Sequence, residues 1–279
     1  MTDPDSLNST IKGISIPPQP ELLISINEEL NKPDPSLSTI AELVAQDVAI
    51  SAAVLKTVNS AYFGLRSEVL SIPHAISLLG VPITVNLVKG FLLKQAMGDL
   101  PHLPRFWDSS ESIARSCAFI AKSLGIMDVD PPYTFGLFHN VGIPLMMQKF
   151  PEYLQVLAEA NNSTEGLFTD VEESRLNCNH AILGFILSRE WGLPKLMRQA
   201  LLAHHDVDSV IHADTLSDNY IAKLVSILKI AEMVDSIQRT GNPNNDWIKF
   251  KSQILDFLSL SEPDLEDLTH DVIEMLNSG

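Results

Sequence analysis

The chain has 279 residues, of which 35 are acidic and 19 are basic, and its formal net charge at pH 7 is −16. Apolar residues make up 45% of the sequence, which is enough for a sizeable core and too many for a disordered chain. The acidic balance argues against a nucleic-acid groove, because phosphate contacts need clustered Lys and Arg. It also argues against an anionic membrane surface as a partner.

The cysteines and the lengths of the apolar runs indicate the cellular compartment and the class of protein. Cys117 and Cys178 are the two cysteines, and neither belongs to a C-x-x-C pair, so neither a disulfide framework nor a structural zinc site is expected. The first residues show no basic region followed by an apolar one, so no signal peptide is expected. No run of about 18 apolar residues occurs, so no membrane-spanning helix is expected. A reducing cytoplasm is the predicted location.

The first segments of the chain predict short helices with recognisable starts. Residues 1–13 are polar, and we expect a flexible N-terminus there. The segment ELLISINEEL at 21–30 repeats its apolar residues at three- and four-residue steps, which predicts a helix. Ser36 or Ser38 can cap the next helix, and Asp47 the third.

Glycine, proline and asparagine then predict where the following helices end. Asn59 is predicted to end the third helix, since asparagine tolerates the left-handed conformation that such an end often needs. Ser71 and Gly80 frame a short helix, and Pro82 opens another. The stretch GDLPHLP at 98–104 contains two prolines and a glycine, so we place a domain boundary or hinge there.

The second half is helical in pattern as well, without an internal repeat. Thr169 and Glu172 have capping-box spacing before a short helix, on which Glu172 and Glu173 are expected to face solvent. Asn179 can cap the helix that follows, and residues 218–239 form a long one. Few short runs alternate with period two. The sequence therefore predicts an all-α fold, a multi-helix bundle of roughly a dozen helices.

Histidine is the residue type most indicative of chemistry. His139 is followed by Asn140, His180 stands alone, and His204 and His205 are adjacent. Neutral imidazole is a common metal ligand, and ligands on several helices of a bundle can converge on one site. Spacing alone is weak evidence for a metal site, because it also fits histidines that form hydrogen bonds near helix ends, so both interpretations stay open at this point.

Five segments, in order along the chain, carry a family resemblance. They are IPPQP at 16–20, AELVAQDVAISAAVLKTVNSAYFG at 41–64, SIPHAISLLGV at 71–81, FGLFHNVG at 135–142 and HAILGFILSREWGLPKLMRQALLAHHD at 180–206. They resemble the HDOD domain family of bacterial signalling modules, over about residues 14–240. The resemblance implies two lobes: a helical HDOD lobe at 14–98, and a lobe similar to the HD domain, with C-terminal helices, at 104–279.

The resemblance also implies where a metal site would lie. HDOD domains are related to the HD-domain phosphohydrolases, in which a His, a His-Asp pair and a later Asp bind metal. The related cyclic-di-GMP phosphodiesterases add a further His and a His-His pair. The positions that match these ligands are Ser109 (or Ser110), His139, Asn140, Glu232, His180, His204 and His205.

Three of these positions depart from the catalytic pattern. Ser109 cannot replace an imidazole ligand, Asn140 offers a neutral amide where a carboxylate is expected, and Glu232 replaces Asp on a longer stem. The losses predict a degenerate metal site without catalytic residues. No cofactor is expected beyond a weakly bound divalent metal, whose ligands would be His139, His180, His204, His205 and Glu232.

The functional prediction is a non-catalytic signal-transduction module that acts through protein–protein interaction. The expected partners are signalling proteins such as a kinase, a response regulator or a cyclic-dinucleotide enzyme, with neither nucleic acid nor a membrane involved. Two alternatives stay open. One is a divergent metal-dependent phosphohydrolase or phosphodiesterase, and the other is a sensor that binds a nucleotide in the vestigial pocket.

Overall fold

The computed structural model describes residues 13–59, 67–98, 103–212 and 215–278. Within these ranges the chain forms helices and no strand, so the predicted all-α class is confirmed. Three predictions fall wholly or partly outside the described residues. They are the flexible N-terminus up to residue 12, the motif residues 60–64 and the central part of the predicted hinge, 99–102.

Fifteen helices are found in the described residues. They are α1 (Glu21–Leu30), α2 (Leu37–Ala45), α3 (Val48–Val58), α4 (Ile72–Ala96), α5 (Leu103–Leu124), α6 (Asp130–Phe138), α7 (Gly142–Lys149), α8 (Tyr153–Asn162), α9 (Phe168–Leu176), α10 (His180–Glu190), α11 (Lys195–Ala203), α12 (Val207–Ile211), α13 (Leu216–Thr240), α14 (Asn245–Leu258) and α15 (Glu262–Asn277).

The described residues group into two compact units. One comprises residues 18–98 and 274–278, and the other comprises residues 13–17 and 103–273. The lobe boundaries inferred from the sequence, 14–98 and 104–279, stay a prediction. All the candidate site residues lie in the second unit.

In the first unit, side-chain caps fix the helix starts that the sequence predicts. The Ser36 hydroxyl accepts a hydrogen bond from the Thr39 amide at 3.2 Å, and the Asp47 carboxylate accepts one from the Ile50 amide at 3.0 Å. Each cap satisfies an amide that has no partner inside its helix. One set of apolar residues along α1 to α3 is buried and contributes to the core of this unit: Leu23, Ile26, Ile40, Val44, Ile50, Val54 and Val58.

Asn59 ends α3 in a different way from the one predicted. Its φ is −83° and its ψ is 1°, so the predicted left-handed conformation is wrong. The Asn59 side chain instead donates to the Val69 carbonyl at 2.8 Å and accepts from the Val69 amide at 2.7 Å. Val69 is buried, so this pair of hydrogen bonds satisfies two backbone groups away from water.

Helix α4 is the apolar helix of the first unit. Its mean hydropathy reaches 1.8 over 18 residues, so by length and composition it could cross a membrane, a property the sequence analysis did not expect. Gly80 interrupts it with φ 78° and ψ 165°, at the break predicted before Pro82. The helix packs on α2 and α3, and ten of its residues are buried. A helix in the core of a folded unit can have the same apolar composition as a membrane-spanning helix, so composition does not distinguish the two.

Helix α13 is the central element of the second unit. It packs on α5, α6, α11, α12 and α14, and most of its residues from Ile221 to Asp235 are buried. A capping box at Thr215 and Asp218 begins it, and Gly241 ends it in the left-handed conformation. Its burial on several sides brings polar side chains on its surface against the ends of neighbouring helices.

Candidate functional site

Helix ends position the candidate histidines. His139 directly follows α6, and His204 directly follows α11. Each ring turns back on its own helix: Nδ1 of His139 lies 2.7 Å from the Gly136 carbonyl, and Nδ1 of His204 lies 2.7 Å from the Leu201 carbonyl. A carbonyl oxygen only accepts, so both Nδ1 atoms carry a proton. In the neutral rings both Nε2 atoms are therefore unprotonated.

Three imidazoles meet at one point. Nε2 of His180 lies 3.3 Å from Nε2 of His204 and 3.2 Å from Nε2 of His205. All three side chains are buried, and their candidate ligand atoms lie within 4.8 Å of one another. The Phe168 ring stacks on His205 with 4.7 Å between centroids and meets the edge of His180. The structure thus brings these three predicted positions together.

Glu172 is a site residue that the sequence analysis missed. It is fully buried, its carboxylate accepts from Nδ1 of His180 at 2.7 Å and from the His180 amide at 3.1 Å, and the Tyr153 hydroxyl donates to its other oxygen. Burial acts to raise the pKa of Glu172, but the contacts with His180 outweigh it and hold the pKa below its usual range. Glu172 is therefore an ionised acceptor that orients His180.

The predicted solvent-facing role of Glu172 is wrong, and so is its role in a capping box with Thr169. Helix α9 begins two residues earlier than that capping box implies, at Phe168, and its N-cap is Leu167, whose amide donates to Asp170 at 2.8 Å. The inner face of α9 then turns Glu172 toward the start of α10. Local spacing carries no signal for this contact, because both partners of Glu172 lie on other helices.

Lys229 and Asp246 are two further site residues that the sequence analysis missed. Nδ1 of His205 donates to Asp246 at 2.8 Å. The Lys229 ammonium is fully buried and lies 2.9 Å from Asp246 and 2.9 Å from Glu232. A signal was present for Lys229, which interrupts an apolar run of α13 three residues before Glu232.

The ion pairs decide the charge state of this group. Burial acts to lower the pKa of Lys229, but the two carboxylates outweigh it and raise the pKa above its usual value. Burial acts to raise the pKa values of Asp246 and Glu232, and the Lys229 ammonium outweighs it in both cases. Lys229 is therefore charged, and its charge is shared between two ionised carboxylates.

His139 and Asn140 present acceptors without donors. Nε2 of His139 lies 3.4 Å from a carboxylate oxygen of Glu232. Within the described residues, neither this nitrogen nor Oδ1 of Asn140 makes a hydrogen bond. Burial lowers the pKa of His139 to about 4, so its ring is neutral at pH 7. A cavity of about 200 Å³ has Asn140, Phe168, His205, Glu232 and Asp246 in its lining.

Ser109 lies on α5 and has a different partner. Its hydroxyl donates to Asp235 at 2.7 Å, and Asp235 also accepts from Arg239 at 2.9 Å. The alternative residue, Ser110, donates to the Phe106 carbonyl of its own helix. Among the described contacts, none joins either serine to the histidines.

Comparisons with known proteins agree on one family and one fold. The sequence matches the profile described as HDOD domain over residues 16–207. A protein of Treponema pallidum (strain Nichols), described as uncharacterized, is 29% identical over 201 residues, which cover 69% of this chain and 38% of that protein. This chain therefore spans about two fifths of the length of that relative.

Solved structures share the fold at low sequence identity. A suggested phosphohydrolase from Shewanella amazonensis SB2B is similar with a TM-score of 0.74 and 21% identity, covering 97% of this chain and 94% of that one. A suggested signal transduction protein from Marinobacter aquaeolei VT8 has a TM-score of 0.70 and 19% identity, covering 98% of this chain and 63% of that one. These likenesses establish an HD-like all-α fold.

The donor set fits a divalent metal in one half of the site only. The three imidazoles present unprotonated Nε2 atoms, and each Nδ1 is fixed by a carboxylate or a carbonyl, as is usual for metal-bound histidine. The carboxylate half does not fit, because the Lys229 ammonium is already paired with both Glu232 and Asp246 and offsets one of their two charges. A carboxylate-bridged centre of the HD type is therefore not supported by this group.

Proposed function

The chain belongs to the HDOD domain family, and from this membership we propose that it is a regulatory module of signal transduction that acts through a protein partner and does not hydrolyse phosphate esters. The family is related to the HD-domain phosphohydrolases. The question is therefore whether this chain keeps the chemistry of those enzymes. The contacts of Lys229 carry the proposal.

A lysine ammonium supplies the positive charge that a metal ion would supply in an HD-type hydrolase. Lys229 lies 2.9 Å from both Glu232 and Asp246, and it is fully buried. It offsets one of their two negative charges, but it has no open coordination position and cannot lower the pKa of a bound water as a metal ion does. A pair of carboxylates held by an ammonium in this way lacks the means to generate hydroxide near pH 7.

Two replacements support the same proposal. Asn140 stands where the His-Asp pair of the catalytic relatives has a carboxylate, and its amide oxygen carries no charge to offset a second cation. Ser109, at the position of the first histidine, is hydrogen-bonded to Asp235. The chain therefore lacks two of the ligands that define the catalytic pattern.

A hydrolysis assay tests the catalytic part of the proposal. The purified chain is incubated with Mn²⁺, Ni²⁺ or Fe²⁺ and with cyclic dinucleotides and nucleotide phosphate esters, beside the variant His139→Ala and an active HD-type phosphodiesterase as positive control. We expect the chain and the variant to match the metal-only background. Turnover that requires His139 would contradict the proposal.

The partner part of the proposal rests on the family and on charge. The net charge of −16 favours a partner with a basic surface, whose association is weakened by salt. Candidates captured from a native lysate are purified and titrated by calorimetry, with an unrelated protein of similar size and charge as control. Saturable binding that the control lacks supports the proposal. A panel in which every purified candidate binds both proteins alike contradicts it.

A metal-dependent phosphohydrolase is the second candidate, and the retained histidines favour it. His139, His180, His204 and His205 all keep the orientation in which Nε2 faces another side chain of the site. If stoichiometric metal and hydrolysis both vanish in His139→Ala, this candidate replaces the first.

A further inference from the structure

A groove opens on the surface of the first unit, where α1 packs beside the end of α2. Its volume is about 560 Å³, and every residue in its lining belongs to the first unit. The candidate histidine site lies in the second unit, so the metal-ligand positions do not account for this groove. Its lining includes four apolar side chains and two carboxylates: Leu22, Leu43, Val48, Ala49, Glu21 and Asp47.

The break between α2 and α3 leaves apolar side chains of the groove uncovered. The two helices are bent by 113° relative to each other, and the Asp47 carboxylate accepts a hydrogen bond from the Ile50 amide at 3.0 Å, which fixes the start of α3. Val48 is the first residue of α3 and is 80% exposed, the largest value for a large apolar side chain in the described residues of this unit. Leu22 and Leu43 are half-buried. Single exposed apolar side chains are common, but several that line one groove are typical of an interaction site.

The charge around the groove is negative. Glu21 and Asp47 line it, and among the described residues no lysine or arginine does. Residues 18–59, which contain α1 to α3, include six acidic and two basic residues, and one of the two basic residues, Lys32, is paired with Glu29. A second copy of this chain carries the same net charge of −16 and is repelled by such a surface. A segment with lysine or arginine beside its apolar residues is attracted to it.

We propose that this groove binds an amphipathic helix of a protein partner, with aliphatic residues at three- and four-residue steps and with lysine or arginine beside them. The proposal rests on the proposed function, because it requires a protein partner, and it assigns the surface and the chemistry of that partner. The described residues of this unit contain no strand, so an extended peptide has no sheet edge to pair with. A groove between helices suits the apolar face of another helix. Its volume is that of a pocket for a drug-sized molecule, so it accepts a few side chains of the partner.

The apolar and the acidic residues of the groove have separate effects on binding. Burial of Val48, Leu22 and Leu43 against the partner removes apolar area from water and supplies affinity. Glu21 and Asp47 attract the basic residues of the partner, and salt screens this attraction. A change at Val48 should therefore weaken binding at every salt concentration, whereas a change at Glu21 should act mainly at low salt.

A model peptide tests the apolar part of the proposal. The probe is a synthetic helical peptide of leucine and lysine, with leucine at three- and four-residue steps, and a peptide of the same composition in scrambled order is its control. Both are titrated with the full chain and followed by fluorescence anisotropy. We expect saturable binding of the amphipathic peptide, weaker binding of the scrambled one, and about tenfold or more loss of affinity in Val48→Arg. Ile248→Arg, at a 64% exposed apolar position of α14 in the second unit, is the matched control and should bind as the wild type does.

Glu21→Lys tests the electrostatic part, and it also keeps the proposal testable if circular dichroism shows that Val48→Arg does not fold. We expect weaker binding of the amphipathic peptide at low salt and a smaller loss of affinity when KCl is added. Glu165→Lys is the matched control, because it changes the net charge equally at an exposed position of the second unit.

Wild-type affinity in Val48→Arg, or equal affinity for the two peptides, would overturn the proposal. A dimer of the chain that Val48→Arg dissociates in analytical ultracentrifugation would also overturn it, since the groove would then bind a second copy. Partners from the calorimetric panel that bind the wild type and Val48→Arg alike would contradict this surface and leave the proposed function standing. Hydrolysis of a phosphate ester would contradict the proposed function and leave the peptide result unchanged, so the two proposals fail separately.

Discussion

Lys229 is the residue on which the charge balance of the site depends. Its ammonium is fully buried and pairs with Glu232 and Asp246 at 2.9 Å each. Removal of one partner from a buried ion pair leaves the remaining charge without compensation, which strongly destabilises the folded state. Replacement of the whole pair by apolar residues usually changes stability far less. The sequence offered no charge pattern that pairs residues 229 and 246, because they lie on different helices.

We predict that Lys229→Met lowers the free energy of unfolding by about 3–5 kcal/mol. The measurement is urea-induced unfolding of the metal-free protein, followed by circular dichroism. The triple variant Lys229→Met/Glu232→Gln/Asp246→Asn should recover part of the loss, because it removes the uncompensated carboxylates. Lys122→Met, at an exposed position of α5, is the control and should stay within about 0.5 kcal/mol. A loss of unfolding free energy in Lys229→Met no larger than that in Lys122→Met would contradict the prediction.

His139 makes stability depend on pH. Burial lowers its pKa from 6.5 to about 4, so the folded state holds the neutral ring while the unfolded state takes up a proton below about pH 6.5. The contribution of His139 is therefore fully present above pH 6.5 and is lost as the pH falls toward 4. The difference between the two pKa values corresponds to about 3 kcal/mol.

We predict that His139→Gln reduces the slope of unfolding free energy against pH by about 1.4 kcal/mol per pH unit between pH 6.5 and 4.5. Glutamine keeps a polar side chain but does not titrate. The measurement is urea unfolding of metal-free protein at intervals across this range. His212→Gln, at an exposed position, should keep the wild-type slope. A slope unchanged in His139→Gln would show that its ring does not titrate as inferred.

At the scale of elements, the contact between α7 and α10 supports the histidine cluster. A Cβ added to Gly142, the first residue of α7, would lie 1.9 Å from the carbonyl oxygen of His180. The atom in the way belongs to the backbone, so no side-chain rotation relieves the clash. At Gly184, on the other helix of this contact, an added Cβ would lie 3.4 Å from the Val141 side chain, close to ordinary contact.

We predict that Gly142→Ala destabilises the protein by about 3 kcal/mol, at the upper end of the usual range for overpacking. Gly184→Ala is the matched control on the same interface. Its cost should stay under about 1 kcal/mol, because alanine gains helix propensity that offsets the close contact. The measurement is urea unfolding of the two variants. A Gly142→Ala variant as stable as Gly184→Ala would show that α7 moves away from α10 at little cost in free energy.

The elements also show how far the sequence could predict the structure. The caps at Ser36, Asp47 and Asn179 were predictable, because a cap contacts an amide three residues away. The conformation of Asn59 and the burial of Glu172 were not, since their partners lie eight or more residues further along the chain or on another helix. Contacts distant in sequence leave no periodic signal.

The same division applies to the candidate site. His180, His204 and His205 were brought together in the sequence analysis by family resemblance, and spacing alone left their role open. Glu172 and Asp246 fix the proton positions of two of these rings, yet neither was foreseen. Their roles depend on which helices pack together, and this is decided by the burial of apolar faces along the whole of the second unit.

At the scale of the whole molecule, the net charge of −16 acts on every compact state of the chain. Self-repulsion among excess acidic groups destabilises the folded state. Exposed ion pairs such as Arg175 with Glu159 and Lys251 with Glu262 offset little of it, because such a pair contributes about 0–1 kcal/mol. The buried pairs of Lys229 are much less sensitive to salt.

We therefore predict that KCl stabilises the protein at pH 7. Between about 0.01 M and 1 M salt the Debye length falls from about 30 Å to about 3 Å, so long-range repulsion is screened. The midpoint of urea unfolding should rise. The corresponding gain in the free energy of unfolding should exceed what screening removes from one exposed ion pair, which is about 0–1 kcal/mol. Near the sequence pI of 4.8 the net charge is close to zero, and the same titration should show a much smaller effect. A midpoint that falls with salt at pH 7 would mean that attractive surface pairs outweigh the excess of negative charge.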